Sequence, residues 1–162
     1  MGVSGCGKST VAGILAGQLG WDLLEGDDLH PASNVAKMAS GRPLTDEDRW
    51  PWLERIAEWM REHTAAGKSG IVTCSALKRS YRDVMRSDDV VFVHLDGSRQ
   101  EIGDRLTMRL DHFMPPTLLN DQIATLEPPG DDEQKLTVGI GRPPGEEVAE
   151  IIQRLGLTPT EH

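Results

Sequence analysis

The residues best placed to do chemistry stand at the start of the chain. Gly2-Val3-Ser4-Gly5-Cys6-Gly7-Lys8-Ser9 has the spacing of a phosphate-binding loop: glycine, four residues, glycine, lysine, then serine or threonine. Glycines allow backbone dihedrals closed to other residues, so successive N–H groups can turn inward around an anion. Lys8 supplies a mobile positive charge for the β- and γ-phosphates, and the Ser9 hydroxyl is a ligand for Mg²⁺. A helix beginning here aims its free N–H groups at the same phosphates. Gly2, Ser4, Gly5, Cys6, Gly7, Lys8, Ser9 and Thr10 are therefore the expected ATP-binding residues, with Lys8 also catalytic. Cys6, at a helix N-terminus in an electropositive loop, is expected to alkylate readily and to be protected by ATP.

A second group could handle an acceptor. Asp27 and Asp28 follow a short strand candidate, where a carboxylate can take the proton of a hydroxyl or support the metal; an Asp pair also simply forms turns. His30 either contacts substrate or shapes the turn with Pro31. Lys78, Arg79 and Arg82 concentrate positive charge just past the strand candidate Ile71–Cys74, and Arg49 sits near the start of the long helix; such a cluster in a crevice suits an anionic substrate. Arg105 and Arg109 lie one turn apart, where one could stabilise a transferring phosphoryl group or pair with Asp104 or Glu101 on the helix surface. Trp50, Trp52 and Trp59 read as packing.

The elements that must hold these residues alternate. Val11, Ile14, Leu15 and Leu19 follow helical spacing up to Gly20. Strand candidates are Trp21–Glu25, Ile71–Cys74, Val90–Leu95 and the weaker Leu136–Ile140. Helices are expected over Pro31–Ser40, from Asp46 to Ala66 behind Thr45 as N-cap, from the capping box Ser98-x-x-Glu101 onward, over Leu118–Leu126, and over Glu146–Leu155. Ser75–Asp83 reads as a polar connection. This pattern predicts an α/β fold, a three-layer αβα sandwich with a parallel sheet, as one domain over 1–162. Asp111–Pro116 interrupts two helical stretches and marks a lid of about residues 108–127. A phosphate-binding loop ordinarily follows a buried strand. The expectation is therefore an apolar segment of about 5–10 residues upstream of Met1.

Composition narrows the class. The 162 residues carry a net charge of −9 and only seven aromatic Trp, Tyr or Phe side chains, so the core is aliphatic. A general nucleic-acid binder would show a basic surface. No apolar run approaches a membrane span, no signal peptide is visible, and Cys6 occupies the position where a myristoylation pattern needs Ser or Thr. Two cysteines make no disulfide framework, which fits the cytoplasm.

Longer runs carry a resemblance. Glu25-Gly-Asp-Asp-Leu-His-Pro31, Asn34-Val-Ala-Lys-Met-Ala-Ser-Gly41, Pro43-Leu-Thr-Asp-Glu-Asp-Arg49 with Pro51-Trp-Leu53, Cys74-Ser-Ala-Leu-Lys78, Tyr81-Arg-Asp83 and His112-Phe-Met with Gln122 and Thr125-Leu-Glu127, added to the loop at Met1–Ser9, resemble the gluconokinases among P-loop carbohydrate kinases. The resemblance runs from Met1 to the C-terminal helix. It implies transfer of the ATP γ-phosphoryl group to the 6-hydroxyl of D-gluconate, an adenylate-kinase-like sheet with a mobile lid, and commonly a homodimer. By the same resemblance Asp27 is the acceptor-binding aspartate. Arg49, Lys78 and Arg82, with His30, become candidates for the gluconate carboxylate and hydroxyls, Arg109 the lid residue, and Arg142 and Pro143 the adenine neighbours. The rivals are another small-metabolite kinase of shikimate type and a nucleotide-binding regulator without transfer activity. A GTPase is disfavoured, because no Asn-Lys-x-Asp run occurs.

Overall fold

The computed structural model describes residues 1–3, 5–107 and 116–160. Its strands are β1 Asp22–Glu25, β2 Gly70–Thr73, β3 Phe92–Asp96 and β4 Lys135–Gly139. Its helices are α1 Lys8–Leu19, α2 Ala32–Ala39, α3 Asp46–Ala65, α4 Arg79–Met85, α5 Arg99–Thr107, α6 Pro116–Thr125 and α7 Pro144–Leu155, with a 3₁₀ turn at Gly26–Leu29.

Both ladders are parallel: β1 pairs with β2 from Asp22↔Gly70 to Glu25↔Thr73, and β3 pairs with β4 from Phe92↔Lys135 to Asp96↔Gly139. Parallel neighbours need a crossover, and the helices supply it. Their apolar sides form two large cores, beside a smaller cluster of Val3, Leu77 and Ile102. Val11, Leu15 and Leu19 of α1 meet Val148 and Ile151 of α7 over Leu95, Leu136 and Val138. On the other side Trp52, Leu53 and Ile56 of α3 meet Tyr81 and Met85 of α4 against Phe92. The expected αβα layering is present. The sheet is not continuous, however, since no ladder joins β2 to β3 among the described residues.

Local chemistry explains most element ends. The α1 chain reverses at Gly20, whose left-handed φ of +69° would strain a side chain. Thr45 caps α3 in a capping box with Asp48, and Ser98 and Glu101 form the predicted box before α5. The helix α4 falls where the sequence suggested only a polar connection. Its charged positions Arg79, Arg82 and Asp83 hide the apolar pair that anchors it, Tyr81 and Met85.

Candidate active site

Ligands of open parallel sheets bind beyond the carboxyl ends of the strands, and here those ends gather the expected residues. The phosphate loop leads straight into α1. Gly5 and Gly7 hold left-handed φ of +84° and +97°, and Gly7 is an N-cap without a capping side chain, so no side chain of the cap occupies the first-turn N–H groups of α1. Lys8 Nζ folds back to donate to the carbonyls of Gly2 at 2.9 Å and Val3 at 3.2 Å. A phosphate in the loop would meet this ammonium and the helix N-terminus together. Ser4 lies outside the described residues. Thr10 is exposed in the first turn of α1.

The Ser9 hydroxyl donates to Glu25 Oε2 at 3.1 Å, and the Thr73 hydroxyl donates to the same oxygen. Glu25 ends β1 and Thr73 ends β2. A hydroxyl and a carboxylate side by side at the phosphate loop are the hard oxygen donors that Mg²⁺ takes, so these residues fit that ion. Sequence reasoning passed over Glu25 as part of a strand. Its signal was its place as the last residue of a parallel strand.

The acceptor side is built on the 3₁₀ turn after β1. Gly26 is obligatory there, because a Cβ would lie 2.3 Å from the Thr73 carbonyl oxygen. The indole N–H of buried Trp52 donates to Gly26 O at 2.7 Å and fixes the turn. Asp27 then projects into solvent with its side chain 90% exposed, while the His30 side chain is only 5% exposed. The His30 ring stacks on Trp52 at 4.1 Å. Asn34 Nδ2 lies 3.2 Å from His30 Nδ1 and also donates to Asp48 O at 2.8 Å. That amide is a donor, so Nδ1 accepts and the ring proton sits on Nε2, which faces Asp27 Oδ1 at 3.9 Å. Burial, aided by Arg49, pushes the His30 pKa down, against the pull of Asp27. The ring is thus held neutral as an Nε2–H donor.

The cations split into two classes. Lys78 Nζ bonds both Asp46 oxygens at 3.1 and 3.2 Å, Tyr81 OH donates to Asp46, and Arg49 Nη1 donates to Tyr81 OH at 3.0 Å and to Leu44 O at 2.9 Å. Both cations lie over the Tyr81 ring. The bonds from Tyr81 and Lys78 hold the Asp46 carboxyl below its ordinary value. Asp46, the first residue of α3, is therefore the hub that joins Lys78 to Arg49 through Tyr81. Arg49 in turn is close enough to His30 to affect its charge.

Arg82 corrects the sequence reading. It is fully buried, with its Nε donating to Glu133 Oε1 at 2.8 Å and Nη1 to Ala76 O at 2.8 Å. Its side chain is 1% exposed, spent on Glu133 and the Ala76 carbonyl rather than turned to the crevice. Its role is to brace the turn in which Ala76 holds a left-handed φ of +48°, the turn that carries Lys78. Arg79 likewise pairs with Asp132 outside the Lys78–Asp46 network. Cys6 is a second correction: its side chain is fully buried in the α1–α7 core, so only its backbone serves the loop and ready alkylation is not expected. Arg109 and the interruption at 111–115 lie outside the described residues. Arg105 lies in α5, its side chain outside the description. Arg142, past β4, bonds Glu150 Oε1 at 2.6 Å, and Pro143 caps α7.

Comparison with known proteins agrees with this geometry. The family described as an AAA domain matches residues 1–129. The gluconokinase of Gluconobacter oxydans (strain 621H) is 54% identical over 155 residues, covering 94% of this chain and 87% of that protein. The chain belongs to the gluconokinase family. Among solved structures of that kind, a sugar kinase from Janibacter sp. HTCC2649 superimposes with a TM-score of 0.91 at 46% identity, covering 100% of this chain and 96% of that one. A gluconokinase from Sinorhizobium meliloti 1021 gives 0.83 at 42% identity, covering 96% and 93%. The P-loop kinase fold expected from the strand–helix alternation is thereby established. No described helix is long and apolar enough to cross a membrane.

Proposed function

We propose that this chain transfers the γ-phosphoryl group of ATP to the 6-hydroxyl of D-gluconate. The observation that carries the reading is the convergence of exposed Asp27, neutral His30, and the Arg49–Tyr81–Asp46–Lys78 network beside a phosphate loop, in a chain of this family. Gly2–Thr10 would hold the triphosphate, with Arg142 and Pro143 near the adenine and Arg105 or Arg109 closing from the lid. Ser9, with Glu25 near it, would hold Mg²⁺, which would neutralise charge between the β- and γ-phosphates.

On the acceptor side Arg49 and Lys78 take the gluconate carboxylate and hydroxyls. Asp27 accepts the proton of the 6-hydroxyl as its oxygen bonds to the γ-phosphorus. The bond from that phosphorus to the β,γ-bridging oxygen breaks, and ADP leaves with the electron pair. His30 Nε2–H faces the Asp27 carboxylate and limits its orientation. Lys8 compensates charge on the phosphoryl oxygens, so catalysis is positioning plus electrostatics. The family resemblance implies a homodimer, which light scattering at micromolar protein would test.

The deciding experiment measures ADP release with Mg²⁺·ATP and separate acceptors. ADP only with D-gluconate supports the reading. ADP only with shikimate, AMP or another sugar acid replaces the acceptor, and ATP binding without ADP from any acceptor replaces the enzyme with a regulator. Asp27→Asn should bind ATP normally and lose transfer to gluconate. Unchanged turnover would remove Asp27 from the mechanism.

A further inference from the structure

Lys78 stands at the N-cap of α4 in extended backbone and makes no side-chain cap bond. N-cap positions favour Ser, Thr, Asp or Asn, whose oxygen accepts a first-turn N–H. An ammonium only donates, so Lys78 cannot do this, and its Nζ is turned to Asp46 instead. The accepting oxygen comes from another part of the chain. Glu127 Oε1 accepts from Arg79 N at 3.1 Å, across 48 residues of sequence. The Glu127 N–H also donates to Leu77 O at 2.7 Å. The Leu77 carbonyl belongs to the peptide group before the Lys78 Cα, and the Arg79 N–H to the one after it. One residue therefore holds both peptide groups of Lys78.

The turn that carries Lys78 needs such support. Ala76 holds its left-handed φ despite a Cβ, and such a conformation persists only where its surroundings fix it. Arg82 braces the turn from within α4, through Ala76 O. Glu127 braces it from outside, and is itself firmly placed. Leu126 N still donates to Gln122 O in the helical pattern of α6. Pro128 and Pro129 follow, and their fixed φ narrows the paths open to the chain. Ile123 and Leu126 pack on the cluster of Val3, Leu77 and Ile102. Downstream, Gly130 N and Arg82 both bond Glu133, and Arg79 pairs with Asp132. The segment 127–133 is thus bonded to α4 at several points, and Glu127 is the part of it that meets the neighbours of Lys78.

We propose that Glu127 is a positioning residue for acceptor binding, which aims the Lys78 ammonium by clamping the two peptide groups on either side of it. Peptide groups are planar, so holding the two that flank one Cα fixes φ and ψ there, and with them the direction of the Cα–Cβ bond. The side chain then leaves the backbone towards Asp46, where the Arg49–Tyr81 pair also ends. Glu127 acts through Lys78 and not on the reacting atoms. It is exposed, so its removal opens no cavity and strands no buried charge. The inference rests on the reading of Lys78 as a ligand for gluconate.

The test measures gluconate KM, ATP KM and kcat in the full chain and in Glu127→Ala, Glu127→Gln, Lys78→Met, and Lys78→Met combined with Glu127→Ala. Glu127→Ala removes the oxygen that Arg79 N bonds and should raise gluconate KM by about fivefold to tenfold, with ATP KM near the parent value. Glu127→Gln keeps an accepting oxygen and should recover most of that loss. In the Lys78→Met background Glu127→Ala should add nothing further, because a positioning role is exerted only through the ammonium. An unchanged gluconate KM in Glu127→Ala, beside a raised one in Lys78→Met, would overturn the proposal and leave the reading of Lys78 standing. An equal rise from Glu127→Ala in both backgrounds would also overturn it and make Glu127 a general support of α4. An unchanged gluconate KM in Lys78→Met would overturn the reading of Lys78 and the proposal with it.

Discussion

Arg82→Met would separate the two readings of the most buried cation among the described residues. Arg82 and Glu133 have side chains each 1% exposed and share two bonds, at 2.8 and 3.3 Å. Arg82 Nη1 also satisfies the Ala76 and Leu77 carbonyls. Burial pushes the Glu133 carboxyl up, but Arg82 and the Gly130 N–H together hold it low. Removing the guanidinium leaves a buried anion with one backbone donor and takes the Arg82 donor from the Ala76 carbonyl, while Leu77 O keeps its bond from Glu127 N at 2.7 Å. Breaking a buried pair from one side costs about 3–5 kcal/mol, which for a chain of this size lowers Tm by about 6–20 °C. Replacing both partners, as Arg82→Met with Glu133→Leu, should recover most of that loss, because no uncompensated charge remains. Differential scanning fluorimetry with circular dichroism measures all three variants, and gluconate KM is read on the same preparations. A single mutant within about 2 °C of the parent but with a raised gluconate KM would refute the structural role and return Arg82 to the substrate. A double mutant less stable than the single would refute the pairing.

Other outcomes follow from the same geometry. Lys8→Ala should lower kcat by about two orders of magnitude or more with little change in Tm, measured by coupled ADP release. Cys6, fully buried, should resist a thiol reagent in the native chain both with and without ATP; rapid labelling that ATP blocks would mean the loop opens. Lys37 bonds Asp48 Oδ2 at 2.6 Å, and with Thr45 it lowers the Asp48 pKa to about 2. A depressed carboxyl stabilises the fold above its unfolded value near 3.8 and loses that contribution as pH falls towards 2. Lys37→Met should flatten this acid limb of the stability curve by lowering Tm at neutral pH while leaving it nearly unchanged near pH 2, followed by Tm against pH.

What the sequence alone determined is what depends on short spacing. The loop at Gly2–Ser9 was legible because a phosphate cradle needs glycines and a lysine at fixed offsets. So were α1, α3 and β3, whose apolar periods and caps are local properties. The acceptor turn Gly26–His30 was legible as a position, since it follows a strand. What only the tertiary structure decided is where side chains spend their charge. Arg49, Lys78 and Arg82 read alike along the chain, yet two meet at Asp46 and Tyr81 while the third is consumed by Glu133, 51 residues away. No local pattern encodes that partner. Cys6 and Glu25 were misjudged for the same reason, because burial and hydrogen-bond partners come from elements distant in sequence.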